Sequence, residues 1–190
     1  GLSGIPEIAE RILIERDLTL LEKAKCRYHI SQLSSQNSVD VIKQRKERIK
    51  FTSGVSINNL SLNENDIGDF RTFLKLSPPL RTEEDRVALV QGLKEELIDV
   101  IVSDHKPEDE ESKRLTFSQA ATGASGIETL LSLSLELYHN RSLKLETIIK
   151  ALTSNPAKIL KIDKGNLSIG NDADFCIVDI DKPWIVKKEK

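Results

Sequence analysis

Several kinds of residue or segment are scarce in this 190-residue chain, and each scarcity excludes a class of protein. The chain has two cysteines, Cys26 and Cys176, and no CxxC spacing, so neither a disulfide framework nor a cysteine-rich zinc site is indicated. No apolar run approaches the roughly 20 residues that a membrane-spanning helix needs, and no signal-peptide pattern opens the chain. We therefore predict two buried free thiols in a cytoplasmic protein without a membrane partner.

An excess of charge of one sign is also absent. The chain has 28 lysines and arginines against 30 aspartates and glutamates, a formal net charge of -2. Nucleic-acid binding usually needs a basic face, so we expect no nucleic-acid partner. The basic run KQRKERIK at residues 43–50 is interpreted as one solvated helix face. Methionine is absent even from position 1, so we expect Gly1 to be a cut, a processed start or a boundary within a longer chain.

An alternation of apolar strands and amphipathic helices is what the sequence does contain. The predicted helices cover residues 5–24, 38–49, 82–97, 116–138 and 145–152, with a short helix at 155–160, and the predicted strands cover residues 26–34, 49–56, 73–80 and 97–104. A β-rich end follows, with a last strand in PWIVKKE at residues 183–189. Strands that alternate with helices predict an α/β fold with a parallel sheet.

Polar side chains stand where the predicted strands end: Gln32, Asn58, Asn59, Asp104 and His105. In a (β/α) barrel the carboxyl ends of the strands carry the functional site. Four strands cannot close a barrel of eight, so this chain alone would leave two strand edges open. The pattern favours a site at one end of an incomplete barrel.

Longer motifs place this pattern in a family. The stretch KLSPPLRTEEDRVALVQGLKEELIDVIVSDHKP at residues 75–107 resembles the PPLR and DHAPH region of dihydroorotases, the amidohydrolase-superfamily enzymes of pyrimidine biosynthesis. GASGIETLLSLSLELY, LTSNPAKIL and GNLSIGNDADFCIVD are similar to later segments of the same family, and GLSGIPEIAE is similar to the one before the fifth barrel strand. The resemblance implies the C-terminal half of a (β/α)8 TIM-type barrel, with strands five to eight in residues 1–160 and part of a small β-rich domain in residues 161–190.

The resemblance also implies a chemistry. Dihydroorotase interconverts N-carbamoyl-aspartate and the cyclic amide dihydroorotate, with one or two zinc ions at the barrel mouth that polarise the carbonyl and activate water. An aspartate at the end of the eighth strand acts as general base and acid in that family. The motif match puts this aspartate at Asp104, although an aspartate there could simply cap the following turn.

The metal-ligand positions depart from the family pattern. A motif like HxxH[LV]ST reads HISQLSS here, so Gln32 takes the ligand position, and His29 matches the earlier, non-ligating histidine. A PHH-like motif reads Ile57-Asn58-Asn59, which puts Asn59 at the second ligand position. A carboxamide is a poor replacement for imidazole at zinc. The family's HxH pair and bridging residue would lie upstream, so we expect this chain to bind no zinc by itself.

The substrate-binding positions depart as well. Glu108 stands where the family has the last histidine of DHAPH, and Phe73 replaces an asparagine before the PPLR segment. The leading hypothesis is therefore a catalytically inactive or impaired dihydroorotase-like protein with a structural role. Its expected partners are the missing N-terminal half-barrel and a second copy or aspartate transcarbamoylase. The alternatives are an active zinc-dependent dihydroorotase or cyclic amidohydrolase completed by that half, or a gene fragment without a role.

Four further residues are given structural roles. His139 is expected at a helix C-terminus, and Arg81 is expected to anchor a loop through a salt bridge. Gly123 and Gly126 are expected to let the start of the helix that contains them approach the site closely.

Overall fold

A three-stranded parallel sheet covered by helices forms the centre of the protein. The structure is a computed structural model that describes residues 4–183 and 185–186. In chain order the elements are α1 (Glu7–Ala24), β1 (His29–Leu33), α2 (Gln36–Lys46), β2 (Thr52–Ser56), α3 (Ile57–Ser61), α4 (Glu83–Lys94), β3 (Val100–Val102), α5 (Glu110–Lys113), α6 (Leu130–His139), α7 (Leu145–Leu152) and α8 (Ser154–Leu160). Two short 3₁₀ helices, Glu64–Ile67 and Thr72–Leu74, lie between α3 and α4.

The sheet has the order β1-β2-β3, and both strand pairs are parallel. His29 is opposite Thr52 across the first pair, and Gly54 is opposite Val100 across the second. Parallel neighbours need crossover connections, and α2 and α4 lie on those connections. The predicted α/β class is confirmed.

The core lies between the sheet and the helices around it. Side chains with less than 2% of their surface exposed come from most of these elements: Leu18, Leu33, Ile42, Val55, Ile57, Leu60, Leu89, Leu93 and Ile148. Each fully buried aliphatic side chain contributes about 1.5–3 kcal/mol relative to an exposed one. The core is therefore shared by α1, α2, α3, α4, α7 and the sheet.

The start of α4 shows how local sequence and tertiary packing combine. The Thr82 hydroxyl accepts from the Asp85 backbone N–H at 3.2 Å, and Asp85 Oδ2 accepts from the Thr82 backbone N–H at 3.2 Å. This is the capping box that the sequence predicts. Asp85 Oδ1 also accepts from the Gln36 backbone N–H at 2.7 Å. One buried carboxylate thus caps α4 and ties it to the first residue of α2.

Two element predictions between the helices are wrong. The expected strand at residues 73–80 is absent, and this segment holds the end of a 3₁₀ helix followed by bends. Pro78 and Pro79 lack the N–H donors that a ladder needs. The predicted helix over residues 116–138 begins only at Leu130, because residues 116–129 form a loop whose backbone contacts other chain segments.

The predicted strands of the tail are also wrong where they can be tested. Residues 161–183 with 185–186 contain no strand, and apolar side chains such as Ile169 and Ile177 are 107% and 94% exposed. An extended segment becomes a strand only when a neighbour pairs with it, and the described residues supply none. The remaining residues of PWIVKKE, positions 184 and 187–189, lie outside the described part of the chain.

The prediction of buried thiols is wrong as well, because Cys26 and Cys176 are both free and exposed. Cys26 lies in the connection between α1 and β1, and Cys176 lies in the extended tail. Among the described residues, no helix has both the length and the apolarity that are needed to cross a lipid bilayer.

Candidate functional site

The carboxyl ends of the three strands bring together the two residues that the sequence singles out most strongly. Gln32 is the fourth residue of β1, and Asp104 follows the end of β3. Gln32 Nε2 donates a hydrogen bond to Asp104 Oδ1 at 2.7 Å, although the residues are 72 positions apart. Because the strands are parallel, their carboxyl ends share one edge of the sheet, and this contact spans the end of β2.

The backbone at Asp104 is held in an uncommon conformation. Its φ of 48° lies in the left-handed region, which aspartate tolerates better than most residues. The next residue, His105, accepts hydrogen bonds at Nδ1 from the backbone N–H groups of Gly126 and Ile127, at 3.2 and 3.3 Å. The imidazole therefore carries its proton on Nε2 and fixes the loop that runs beside Asp104.

Two glycines let that loop approach the strand end. A Cβ at Gly126 would overlap the Ser103 carbonyl oxygen, and a Cβ at Gly123 would overlap the Lys106 carbonyl oxygen. Gly123 also has a φ of 142°, which side-chain-bearing residues rarely adopt. Both glycines do permit a close approach, to the backbone on either side of Asp104, but they lie in a loop and not at the predicted helix start, because α6 begins only at Leu130.

Asn59 lies in a separate contact. It is 2% exposed in α3, and its Nδ2 donates to the Pro79 carbonyl oxygen at 3.1 Å. Its Oδ1 and the Asn58 Nδ2 are buried without a hydrogen-bond partner among the described residues. The structure therefore joins Gln32 to Asp104 but gives Asn59 no hydrogen bond to either of them within the part of the chain described.

The two substituted substrate positions lie on flanking loops. Glu108 forms an ion pair with Lys106 at 3.5 Å, so its charge has a local partner. Phe73 belongs to the 3₁₀ helix Thr72–Leu74 and is 65% exposed. In the described residues neither side chain is hydrogen-bonded to Gln32 or Asp104, and their predicted relation to substrate stays a prediction.

Two lysines that the sequence analysis missed hold these loops together. Lys113 is 3% exposed, and its Nζ donates to the carbonyl oxygens of Thr72 and Ala121 at 3.1 and 2.8 Å. Burial lowers the pKa of its ammonium group, while the charge of Glu108 opposes that change. Lys75 Nζ donates to two carbonyl oxygens of the same loop. No sequence signal distinguishes Lys113 from its charged neighbours.

The two other structural predictions have different outcomes. His139 is the last residue of α6, as predicted, and its Nε2 lies 2.9 Å from the Ile180 carbonyl oxygen. Arg81 does anchor a loop, but through hydrogen bonds rather than a salt bridge: Nε donates to Ser34 Oγ at 3.2 Å and Nη1 donates to the Ile5 carbonyl oxygen. The carboxylate of Glu10 is bonded to the same Ser34, so Arg81 contacts it only through a shared hydroxyl.

The donor set at the strand ends does not fit zinc on its own. In the described residues no group of three or more histidine, cysteine, aspartate or glutamate side chains could hold a metal ion. Gln32 uses the N–H side of its amide to bond Asp104, so only its carbonyl oxygen is left for a cation, and that oxygen is a weaker zinc ligand than imidazole. Zinc prefers imidazole and thiolate ligands, so a single carboxylate held by an amide is not a zinc site.

Comparison with known proteins places this chain in a family. Residues 8–189 match the Amidohydrolase family, and the chain belongs to that family. It is 43% identical over 98% of its length to a dihydroorotase of Ehrlichia canis (strain Jake), of which it covers 42%, and 42% identical over its whole length to one of Ehrlichia chaffeensis, of which it covers 43%. The chain thus spans less than half the length of these curated relatives.

Solved structures agree on the fold. An L-hydantoinase (dihydropyrimidinase) from Arthrobacter aurescens superimposes with a TM-score of 0.84 at 31% identity, over 89% of this chain and 39% of the other. A D-hydantoinase (dihydropyrimidinase) from Thermus sp. superimposes with a TM-score of 0.81 at 26% identity over the same shares. The resemblance to dihydroorotases of the amidohydrolase superfamily, predicted from the motifs, is confirmed.

His29 is the first residue of β1 and lies at the end of the sheet opposite Gln32 and Asp104. The direction of its pKa shift predicts how the stability of the protein depends on pH. Its Nδ1 lies 2.8 Å from Thr52 Oγ1, and partial burial lowers the pKa of its imidazole, which the charge of Asp99 opposes. Below about pH 6.5 the unfolded chain therefore binds the proton first, and we expect stability to fall as pH drops through that value. NMR titration of His29 in folded and urea-unfolded protein checks this; a folded pKa equal to or above the unfolded one would contradict it.

Proposed function

We propose that this chain is the C-terminal half-barrel of a dihydroorotase-like protein of pyrimidine biosynthesis. Residues 1–160 would form barrel strands with their helices, and residues 161–190 would form part of a small β-rich domain. The sheet supports this proposal, because three parallel strands cannot close a barrel. Among the described residues, no strand pairs with the outer edge of β1 or with the outer edge of β3. Of the four strands expected as barrel strands five to eight, the described residues form three, because the segment 73–80 between β2 and β3 is not a strand.

The protein is proposed to be catalytically inactive or impaired. The observation that carries this proposal is the hydrogen bond from Gln32 Nε2 to Asp104 Oδ1. The Asp104 carboxylate, which would shuttle the proton, accepts a hydrogen bond from the Gln32 amide. Gln32 itself stands where the family has a metal-binding imidazole. Without a cation to polarise the amide carbonyl, the carboxylate alone leaves the developing oxyanion without its electrophile.

Its role would then be structural, in the cytoplasm. An N-terminal half-barrel would cover the open strand edges, and a second copy or aspartate transcarbamoylase would be the further partner. Exposed apolar side chains support the expectation that a partner covers this surface. They are Ile5, which precedes α1, and Ile8 and Ile12 on α1. Exposed apolar side chains that share one face mark interaction sites more often than free surface.

Metal content tests the inactive assignment. The protein, with its N-terminal half-barrel present, is expected to hold less than one zinc per chain by plasma mass spectrometry. The double variant Gln32→His/Asn59→His is expected to raise that content toward one, because imidazole is a preferred zinc ligand. Asn166→His in the exposed tail is the matched control and should leave it unchanged. Stoichiometric zinc in the unaltered protein that disappears in Asp104→Asn would refute the assignment.

One observation favours a second candidate, an active zinc-dependent dihydroorotase or cyclic amidohydrolase completed by the N-terminal half. Asp104 keeps its carboxylate at a strand end in a left-handed backbone conformation, and strained residues of this kind cluster at functional sites. In that case hydrolysis of dihydroorotate to N-carbamoyl-aspartate should fall by roughly 10²–10⁴-fold in Asp104→Asn. A rate no higher than that of the variant removes this candidate.

A further inference from the structure

A second pocket lies at the end of the sheet opposite Gln32 and Asp104. Arg27 and Tyr28 precede β1, Lys50 and Phe51 precede β2, and all four line a cavity of about 470 Å³. The end of α8 adds a third side to this open pocket, with Lys158, Ile159 and the following Lys161. Since the strands are parallel, this pocket and the Gln32–Asp104 contact are at opposite ends of β1, and no residue belongs to both.

The charge of this pocket is unbalanced. Its lining contains four cationic side chains, Arg27, Lys50, Lys158 and Lys161, and no carboxylate. None of the four takes part in the ion pairs found within the described residues, whereas the nearby Lys46 is paired with Asp99 at 3.0 Å. The chain as a whole carries more acidic than basic residues. A concave surface lined by one sign of charge concentrates counter-ions.

The framework of the pocket is held by contacts that leave most of the cations available. The Arg27 guanidinium donates to the Ile159 carbonyl oxygen, which joins the start of β1 to α8. The Tyr28 hydroxyl donates to Asp17 Oδ2 at 2.7 Å, and Phe51 is 8% exposed, so both aromatic rings are fixed. Arg27 has five N–H donors, and the three lysine ammonium groups are exposed. The backbone is therefore set while the charged ends can converge on a ligand.

We propose that this pocket binds the diphosphate group of a small ligand, either pyrophosphate itself or a nucleoside diphosphate. Four cations with no carboxylate exceed what one carboxylate ligand would need, whereas a diphosphate carries several negative charges. Guanidinium and ammonium groups together are the usual protein partners of phosphate oxygens. The volume of this open pocket lies within the range of small-molecule sites, and the chain's net charge of -2 does not favour a nucleic-acid partner. The site is independent of the proposed dihydroorotase-like role.

Calorimetric titration of the full protein tests the site. Inorganic pyrophosphate and a nucleoside diphosphate are titrated separately at 150 mM salt, and saturable binding of either is expected. Lys50→Glu is expected to weaken that binding by roughly tenfold or more. Lys94→Glu on α4 makes the same change in net charge at an exposed position outside the pocket and is expected to leave binding unchanged. Tighter binding of one probe identifies the source of the diphosphate.

Three outcomes would overturn this site. The first is no saturable binding of either probe up to millimolar concentration. The second is equal weakening in Lys50→Glu and Lys94→Glu, since that would report only the net charge. The third is binding of a single-stranded oligonucleotide without binding of pyrophosphate. Zinc content and dihydroorotate hydrolysis report on the Gln32–Asp104 end of the sheet, so their results do not test the proposed diphosphate site.

Discussion

Leu18→Ala is expected to lower the free energy of unfolding by about 2–5 kcal/mol. Leu18 is fully buried in the core cluster. It lies on α1 with two other buried residues, Ile14 and Leu21, which pack against the rest of the domain. Truncation removes apolar surface from the core and leaves a cavity that close-packed neighbours fill only in part. The loss is therefore larger than the transfer free energy of the deleted methyl groups.

Leu20→Ala is the matched control for this substitution. Leu20 is on the same helix, two positions later, and is 60% exposed. The chemical change and the change in helix propensity are the same, so we expect a difference within about 0.5 kcal/mol of the unaltered protein. Urea unfolding followed by circular dichroism gives both values. Similar losses in the two variants would show that α1 does not bury the face described here.

Gly126→Ala is expected to destabilise the protein by about 3 kcal/mol. The new Cβ would overlap the Ser103 carbonyl oxygen, so either the loop or the end of β3 must move. Movement of the loop also weakens the bonds from the Gly126 and Ile127 N–H groups to His105 Nδ1. At this chain length a loss of that size corresponds to a fall of roughly 6–12 °C in the unfolding midpoint.

Gly4→Ala is the control, because a Cβ at Gly4 would meet nothing within 4 Å. It should leave the unfolding midpoint close to that of the unaltered protein. The ¹⁵N resonance of His105 Nδ1 provides a second measurement, since loss of its two N–H donors changes that shift in Gly126→Ala alone. An unaltered midpoint together with an unaltered resonance would show that the loop does not depend on this glycine.

The features that sequence reasoning predicted correctly depend on neighbouring residues. The capping box of Thr82 and Asp85 is a four-residue pattern, and the structure shows it as predicted. The position of Asp104 after β3 follows from a continuous apolar run that ends in charge. The family follows from longer motifs, such as residues 75–107, that are continuous in the sequence. In each case the determining residues belong to one uninterrupted stretch of the chain.

The features that it did not predict depend on partners far along the chain. The segment 73–80 has the composition of a strand, but no neighbouring strand pairs with it and its prolines cannot donate. The tail 161–183 has an alternating pattern and no partner among the described residues. In the sequence Lys113 does not differ from its charged neighbours. In the structure it is buried, and its ammonium group donates hydrogen bonds to carbonyl oxygens of two other segments.

By itself the amino-acid sequence determined the α/β class, the amidohydrolase family and the carboxamides at the expected ligand positions, because identity and spacing are properties of the chain. Only the tertiary structure decided that Gln32 donates to Asp104 across 72 residues while Asn59 bonds to Pro79. It also gathered Arg27, Lys50 and Lys161 into one pocket. Contacts of this kind depend on how the strands and helices pack, which no local pattern encodes.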